Sequence, residues 1–523
     1  MDTTSQTVTF RDIGPGSRKL AMMGLALGMM IACMDGTIVG TCAAEISRDL
    51  GGMEYYSWLV TAYLLAETGI VPIAGKMSDR YGRKPLFILG LLLFITGSAA
   101  AGLSGDMNVL IVCRIVQGLG GGILMPVAMA SVADFYAPED RGKMQGMLGA
   151  VFGIGSGIGP LVGGFICTYI SWHWVFYINV PLALVCFVLT MKKFPMAEVG
   201  ALKRIDYPGM VVLTALIMDV LLFFQWISDD MAITELRSVA MIACALILLA
   251  LFVVIERRAE DPIIAPKLVH KKLVVLSAIY LFILGLAMIG TLTYVALYII
   301  TIFDYDALQC GYTLLPMVFG MMITSMGGGM IVNRVGYRIL VIIGSAMIMG
   351  SLLLMSTMGS DPSLLTLCVY LFLFGMGLGF TNSTVMIAVQ NITPPEEMGM
   401  TTSAVSVMRN IGSTVGTAIF ALIISSRMNE QFAATEYGYL AEMYDLTGTG
   451  LIGLKYIPGP PGLADTIVEI FGSSVCTAFL TAGLLYAAAL VISFFIDRKY
   501  TTLDDDTESA TVGIDGQPKT NRQ

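Results

Sequence analysis

The chain has 523 residues, 56% hydrophobic and only 13% charged, with a mean hydropathy of +0.79 and a formal net charge of −8. That is too little charge to cover a soluble protein of this length, so an all-α, multi-pass membrane protein is expected. The charge distribution then carries more information than its sum.

Residues 1–19 are polar, end in Arg18-Lys19 and precede an apolar run too long for a cleavable signal peptide. Fourteen runs are long enough to cross a hydrocarbon core of ~30 Å. They lie near 20–45, 54–75, 85–104, 108–132, 143–169, 172–191, 206–227, 237–255, 273–301, 309–332, 339–357, 362–390, 402–426 and 473–496. An even number puts both termini on one side. With both ends cytoplasmic, 24 of the 30 Lys and Arg fall in cytoplasmic segments. Arg48, Arg237, Arg427 and Lys455 fall outside, and Arg114 and Arg409 within the membrane. This asymmetry supports that orientation.

Span 1 carries Asp35 in MDGTIVG, 34–40, and span 2 carries Tyr63 and Glu67 one turn apart. GKMSDRYGRKP, 75–85, follows as the turn between spans 2 and 3. Its basic residues fix orientation, Gly75 and Gly82 permit tight turns, and Pro85 suits the first turn of span 3. Asp79 contributes little to orientation. It sits where a carboxylate can accept from the free N–H groups of span 3, with Arg80 and Arg83 within a turn. On span 4, Arg114, Gln117, Gly118 and Gly121 share one face, read as a polar, uncrowded wall suited to a cavity. Span 5 repeats glycine every fourth residue twice, as Gly149, Gly153 and Gly157 and as Gly155, Gly159 and Gly163. Such strips let helices approach closely, and Pro160 leaves the Ser156 carbonyl without its N–H, which bends the helix. The expectation is a closely packed helix lining the gate between two halves. Asp219 lies in span 7, where a structural hydrogen bond or an interfacial role is expected. Arg409 and Asn410 open span 13 near its cytoplasmic end, as a cavity charge or one that snorkels to headgroups. The outside loop 427–472 holds six acidic residues against two basic ones and the breaker IPGPPG, 457–462. A short hairpin over the extracellular mouth is expected there, and a disordered tail over 497–523.

Intramembrane charge is costly, about 2.5–3.5 kcal/mol per group at the bilayer centre on insertion scales. Asp35, Glu67, Arg114, Asp219 and Arg409 should therefore face the protein interior or water. Arg is permanently charged and cannot carry a proton, whereas a carboxylate balanced between burial and a nearby cation can. Asp35 is the first candidate for proton binding and Glu67 the second. A static ion pair is the other reading of both. Nine cysteines stand singly, without C-x-x-C or a histidine cluster, which argues against a metal site or a disulfide framework. His173 and His270 lie near membrane boundaries and receive no role. Without a G-x-x-x-x-G-K-[ST] loop, ATP is not the expected energy source. No cofactor or nucleic acid is implied.

The chain repeats itself. Asp79-Arg80-Tyr81-Gly82 matches Asn333-Arg334-Val335-Gly336, displaced by 254. APEDRG at 137–142 matches PPEEMG at 394–399, and Gly155 and Gly159 match Gly412 and Gly416, both displaced by 257. Two homologous six-span halves follow, 20–191 and 273–496, with an inserted pair at 206–255.

These residues resemble the major facilitator superfamily, and within it the fourteen-span drug:proton antiporter branch, over nearly all of 20–500. GKMSDRYGRKP resembles the span 2–3 signature, Arg114 in CRIVQGLGGG the span 4 motif, GIGSGIGPLVGG at 153–164 the antiporter-associated span 5 motif, and MDGTIVG the span 1 motif. Gly40 stands where an Asn is usual and Ala44 where a Pro is usual, so a straighter span 1 is expected. The resemblance implies that spans 1 and 4 are neighbours, that the inserted pair is peripheral, and that Asp79 latches the halves on the cytoplasmic side. Asn333 in place of an aspartate implies a one-sided latch. It further implies a monomeric, proton-coupled exporter of lipophilic or cationic compounds in a bacterial inner membrane, surrounded by lipid. Substrate would meet Asp35, Tyr63, Glu67, Arg114, Gln117 and Arg409. Trp58, Tyr294 and Phe380 are further aromatic candidates, and abundant methionine suits varied ligands. A dedicated exporter or importer of one metabolite and a non-transporting sensor or scaffold are the alternatives.

Overall fold

The computed structural model describes residues 15–51, 58–194, 206–228, 235–259, 262, 271–359, 362–394, 397–444, 451–452, 455 and 460–496. Residues 1–14, the tail 497–523, His270 and the first half of IPGPPG lie outside the described residues. The first half of the chain contains α1 Pro15–Asp49, α2 Trp58–Tyr81, α3 Arg83–Gly102, α4 Met107–Phe135, α5 Pro138–Tyr169, α6 His173–Tyr177 and α7 Asn179–Lys193. The inserted pair is α8 Tyr207–Ser228 and α9 Leu236–Glu256. The second half contains α10 Lys272–Phe303, α11 Ala307–Val335, α12 Tyr337–Met355, α13 Leu364–Asn391, α14 Met398–Ala433, α15 Gly438–Met443 and α16 Leu463–Ser493. No strand occurs among the described residues. Among the described residues, fourteen helical stretches are long and apolar enough to cross a membrane, the number expected.

Lipid is as apolar as the helix surfaces, so close packing at small residues must hold such a bundle together. The two halves do this alike. A Cβ at Gly90 would press on Ile123 and the Gly120 carbonyl, and one at Gly344, displaced by 254, on Phe380, Thr381 and the Gly377 carbonyl. Gly82 and Gly336 both have φ +89°, a conformation that disfavours a side chain, and each is the single-residue break between two helices. GKMSDRYGRKP is therefore mostly helix: α2 continues to Tyr81, and only Gly82 turns.

Other boundaries shift for physical reasons. Pro181 offers no N–H to the Tyr177 carbonyl, and the sixth span is interrupted at Ile178 into α6 and α7. The described part of the predicted loop 427–472 is largely helix. At its end, Leu463, Ile467, Ile470 and Phe471 are buried while Asp465 and Glu469 are exposed, so α16 starts ten residues before 473 with one polar face. At its start, Met428 and Phe432 are buried and extend α14 to Ala433. The described part between them includes the short helix α15 instead of a hairpin. A disulfide joins Cys42 of α1 to Cys167 of α5, with Cα atoms 6.0 Å apart. This corrects the expectation of nine isolated thiols.

The inserted pair is peripheral, with 17% and 11% of its span windows buried against 33–67% in the first six spans. It is not detached, however. Ile217 and Leu221 of α8 pack against Leu65 and Val71 of α2 and Val407 of α14, so α8 covers a seam between the halves. Thr214 Oγ1 also donates to the Gly69 carbonyl, 3.2 Å away. Asp219 Oδ2 is buried without a hydrogen-bond partner among the described residues.

Candidate functional site

α1 and α4 cross where each carries its charge. Arg114 Nη1 lies 2.5 Å from Asp35 Oδ2, and neither side chain is exposed. Gln117, one turn beyond Arg114, donates to Asp35 Oδ1 at 2.7 Å and to Ser98 Oγ of α3 at 2.7 Å. Asn179, at the start of α7, donates to Asp35 Oδ1 at 2.7 Å. Arg114 Nε donates to the Leu59 carbonyl at 3.0 Å, and its guanidinium carbon lies 4.3 Å from the centre of the Tyr63 ring. Three elements of the first half, α1, α4 and α7, thus meet at one carboxylate, and α2 and α3 join through Arg114 and Gln117. Removing two charges from water costs several kcal/mol per ion, which only such dense hydrogen bonding offsets. The matching positions of the second half are apolar: with the displacement of 257, Leu371 stands for Arg114 and Phe374 for Gln117. The buried ion pair is thus a device of one half.

The span 4 face is not a cavity wall. A Cβ at Gly118 would strike the Tyr63 backbone and one at Gly121 the Tyr63 hydroxyl, so these glycines admit α2. Tyr63 and Gln117 are buried with Asp35 and Arg114. Glu67 differs. It is partly exposed between buried Ala66 and Thr68, and no hydrogen bond or ion pair to it is found among the described residues. Arg409 is three turns inside α14, because that helix starts at Met398, and is only 3% exposed. It does not snorkel. Of the other aromatic candidates, Tyr294 stacks on Phe420 inside the second half, Phe380 packs there beside Gly328 and Gly344, and Trp58 packs near α8. Only Tyr63 joins the charged network.

Two seams join the halves on the face that carries Asp79. In the α2–α14 seam, Asp79 Oδ1 accepts from Gly399 N at 2.8 Å and Oδ2 from Met400 N at 2.7 Å. Asp79 thus holds the N-terminus of α14, in the other half, and not that of α3, whose cap Gly82 makes no side-chain bond. Arg83 is buried, 2.5 Å from Asp79 and 2.9 Å from Asp134. Arg80 makes no ion pair among the described residues, and its Nε is buried without a partner. A Cβ at Gly75 would overlap Ser403 and press on the Gly399 carbonyl. The α5–α11 seam mirrors this one, with Gly329 against Gly142 and Asn333 Nδ2 donating to the Glu139 carbonyl at 2.7 Å. Polar contacts between the halves are therefore made in both seams, through one neutral amide in the second, where the sequence implied a one-sided arrangement. Between the seams, Gln390 of α13 donates to the Met129 carbonyl of α4 at 3.1 Å.

The glycine strips of α5 serve different partners. Gly153 and Gly157 face Met321 and Val318 of α11, across the halves. Gly155, Gly159 and Gly163 face Met30, Met34 and Ile38 of α1, within one half, and Cys167 continues that seam into the disulfide with Cys42. Gly159 is thus not at the gate, which corrects the sequence expectation. Pro160 lies inside α5, which runs unbroken to Tyr169. Sequence reasoning missed Asn179 and Ser98; a lone Asn in the apolar run VFYINVP was the available signal.

Comparison with known proteins agrees with this architecture. Residues 25–417 match the family model of the Major Facilitator Superfamily. Multidrug resistance protein 3 of Bacillus subtilis is 31% identical over 509 residues, covering 94% of this chain and 98% of that protein. The multidrug transporter protein MdtP of the same organism is 31% identical over 502 residues, covering 92% and 93%. The tetracenomycin C resistance and export protein of Streptomyces glaucescens is 27% identical over 495 residues, covering 91% and 90%. The crystal structure of the human organic anion transporter MFSD10 superposes with a TM-score of 0.61 at 14% identity, covering 92% of this chain and all of that one.

Proposed function

Because the chain belongs to the major facilitator superfamily and is a transporter rather than an enzyme, we propose that it exports drug-like small molecules in exchange for protons. Its halves rock about a central site to give alternating access. The face bearing Asp79 is cytoplasmic, in keeping with the basic residues there, and both termini lie on that side. The observation that carries the reading is the Asp35–Arg114 pair. It is fully buried, lies in one half only and consists of a proton acceptor held by a permanent cation.

The chemistry follows from the contacts. Ionised, Asp35 accepts from Arg114, Gln117 and Asn179. Protonated, it loses the attraction of Arg114 and must donate one hydrogen. The network then loosens where α1, α3, α4 and α7 meet, which couples proton occupancy to helix packing. Gly153 and Gly157 let α5 move against α11, while the disulfide-closed α1–α5 seam moves as a unit. Asp79, Arg83, Gly75 and Asn333 hold the cytoplasmic face shut between turnovers. The names of the relatives support drug-like cargo. The test is ethidium efflux from proteoliposomes under an imposed pH gradient. Gradient-driven efflux is expected from the wild type and not from Asp35→Asn at equal protein incorporation. Wild-type efflux indifferent to the gradient rejects the proton-coupled reading.

A further inference from the structure

α2 and α14 run antiparallel along one seam between the halves, pinned at two heights. At the cytoplasmic end Asp79 holds Gly399 and Met400. Higher up, Asn410 Nδ2 lies 3.5 Å from Thr68 Oγ1. Eleven residues separate Thr68 from Asp79, and eleven separate Gly399 from Asn410. At 1.5 Å per residue both climb roughly 16 Å, so the helices stay in register to the middle of the membrane. The residues next to the upper contact are Glu67 and Arg409, of opposite charge and from opposite halves.

Neither has found its natural partner. Arg114 shows what a satisfied buried guanidinium looks like here, with a carboxylate at 2.5 Å. Arg409, equally buried, has the neutral amide of Asn382 at 3.3 Å, the sulfur of Met125 at 3.4 Å and the Phe152 ring at 5.5 Å. No carboxylate lies within 4.0 Å of it among the described residues. Glu67 and Arg409 do feel each other through space, and Glu67 also feels Asp35 and Arg114. Glu67 is only partly buried, between buried Ala66 and Thr68, with no protein hydrogen bond among the described residues. A Cβ at Gly36 of α1 would meet only Tyr63 Cε1, at 3.7 Å, one turn from Glu67. The nearby surface of Cys33, Met125 and Phe152 is apolar and polarizable.

A buried cation short of an anion thus lies near a carboxylate short of a cation, on opposite halves of the seam that Thr68 and Asn410 join. A simple cation binding between them satisfies Glu67 but is repelled by Arg409. A simple anion meets the reverse. A molecule bearing both signs satisfies both, its amine toward Glu67 and its carboxylate toward the planar fork of Arg409. We propose that Glu67 and Arg409 form a two-sign recognition site for amphipathic zwitterions carrying an amine and a carboxylate. This rests on the transport reading above and names its preferred cargo. By bridging α2 and α14, such a ligand would also tie substrate occupancy to closure of this seam.

The test needs three related probes and the purified full-length chain. Nε-dansyl-lysine is a zwitterion, its methyl ester a monocation and its Nα-acetyl derivative a monoanion, and dansyl fluorescence reports transfer to an apolar site. The wild type is expected to bind the zwitterion about tenfold more tightly than either single-charge form. Glu67→Gln should erase the advantage over the acetyl derivative, and Arg409→Gln the advantage over the ester. The wild-type ranking alone decides the matter if a variant fails to fold. Equal affinity for all three forms, or no binding of the zwitterion, overturns the proposal. Binding is read without a proton gradient, so zwitterion preference without gradient-driven efflux faults only the transport reading. Proton-coupled ethidium efflux without zwitterion preference faults only this one.

Discussion

Replacing Asp79 by Asn leaves a side chain of the same shape and removes its charge. The carboxylate receives two backbone N–H groups of α14, at 2.8 and 2.7 Å, and lies 2.5 Å from Arg83. Asn can accept only one of those bonds and turns its amide NH2, a donor, toward the other N–H. Hydrogen bonds to charged groups contribute about 1.5–3 kcal/mol, and a carboxylate at a partly buried helix N-terminus up to ~2 kcal/mol. A net loss of about 2 kcal/mol for the closed cytoplasmic face corresponds to roughly a 30-fold shift. A resting ratio of about 99:1 closed would become about 3:1. Folding should be spared, because Arg83 keeps Asp134 at 2.9 Å and Ser78 at 2.5 Å within its own half. The reporter is Ser403→Cys. Ser403 is buried against Gly75 and its hydroxyl has no partner among the described residues, so the change breaks no hydrogen bond, and its own packing effect cancels in the comparison with the parent. Labelling by an impermeant maleimide from the cytoplasmic side, corrected for the parent chain, should accelerate about 20- to 30-fold in the Asp79→Asn background. The melting temperature should stay within a few degrees of the parent. Unchanged labelling together with unchanged transport would reduce Asp79 to a turn residue and refute the latch.

The two glycine strips should fail differently. Gly157→Leu drives a side chain into Val318 across the halves, and folded protein with lost transport is expected, read by size-exclusion profile and efflux. Gly159→Leu wedges α1 from α5 inside one half, where overpacking costs about 1–3 kcal/mol or more, and should lower the melting temperature first. Normal transport by Gly157→Leu would place that face against lipid. Asn333→Ala should speed Ser403→Cys labelling less than Asp79→Asn does, because it removes one uncharged hydrogen bond of about 1 kcal/mol. Denatured, unreduced protein should take up seven alkyl groups by mass spectrometry and nine after reduction, given the Cys42–Cys167 bond. Nine without reduction would exclude the bond.

The parts of this fold that were readable from sequence are those where a single side chain carries a large penalty. A charge in an apolar run must be satisfied, so Asp35 and Arg114 announced themselves. Gly82 and Gly336 were visible because a repeated turn needs the same backbone conformation twice. Uncharged polar groups gave a far weaker signal, and Asn179 and Ser98 were missed although both complete the same network. Periodicity assigns residues to a helix face but does not name the neighbour. The strips of Gly153 and Gly159 look identical in sequence, yet one meets the other half and the other meets α1. Hydropathy started the last span too late because Asp465 and Glu469 interrupt a stretch whose other face is buried. Cysteine spacing does not reveal pairing over a separation of 125 residues. Read residue by residue, Asp79 belonged at the start of span 3, since helix capping is usually local; only the resemblance implied a contact with the other half, where it meets α14.

The most direct test of proton exchange is proton release on substrate binding. Purified full-length protein in weakly buffered detergent solution is mixed with ethidium, and a pH indicator follows the solution while fluorescence reports occupancy. Release of protons that saturates with ethidium binding is expected from the wild type, and none from Asp35→Asn under the same occupancy. Saturating ethidium binding to the wild type with no proton release would contradict the exchange mechanism built on Asp35 and Arg114.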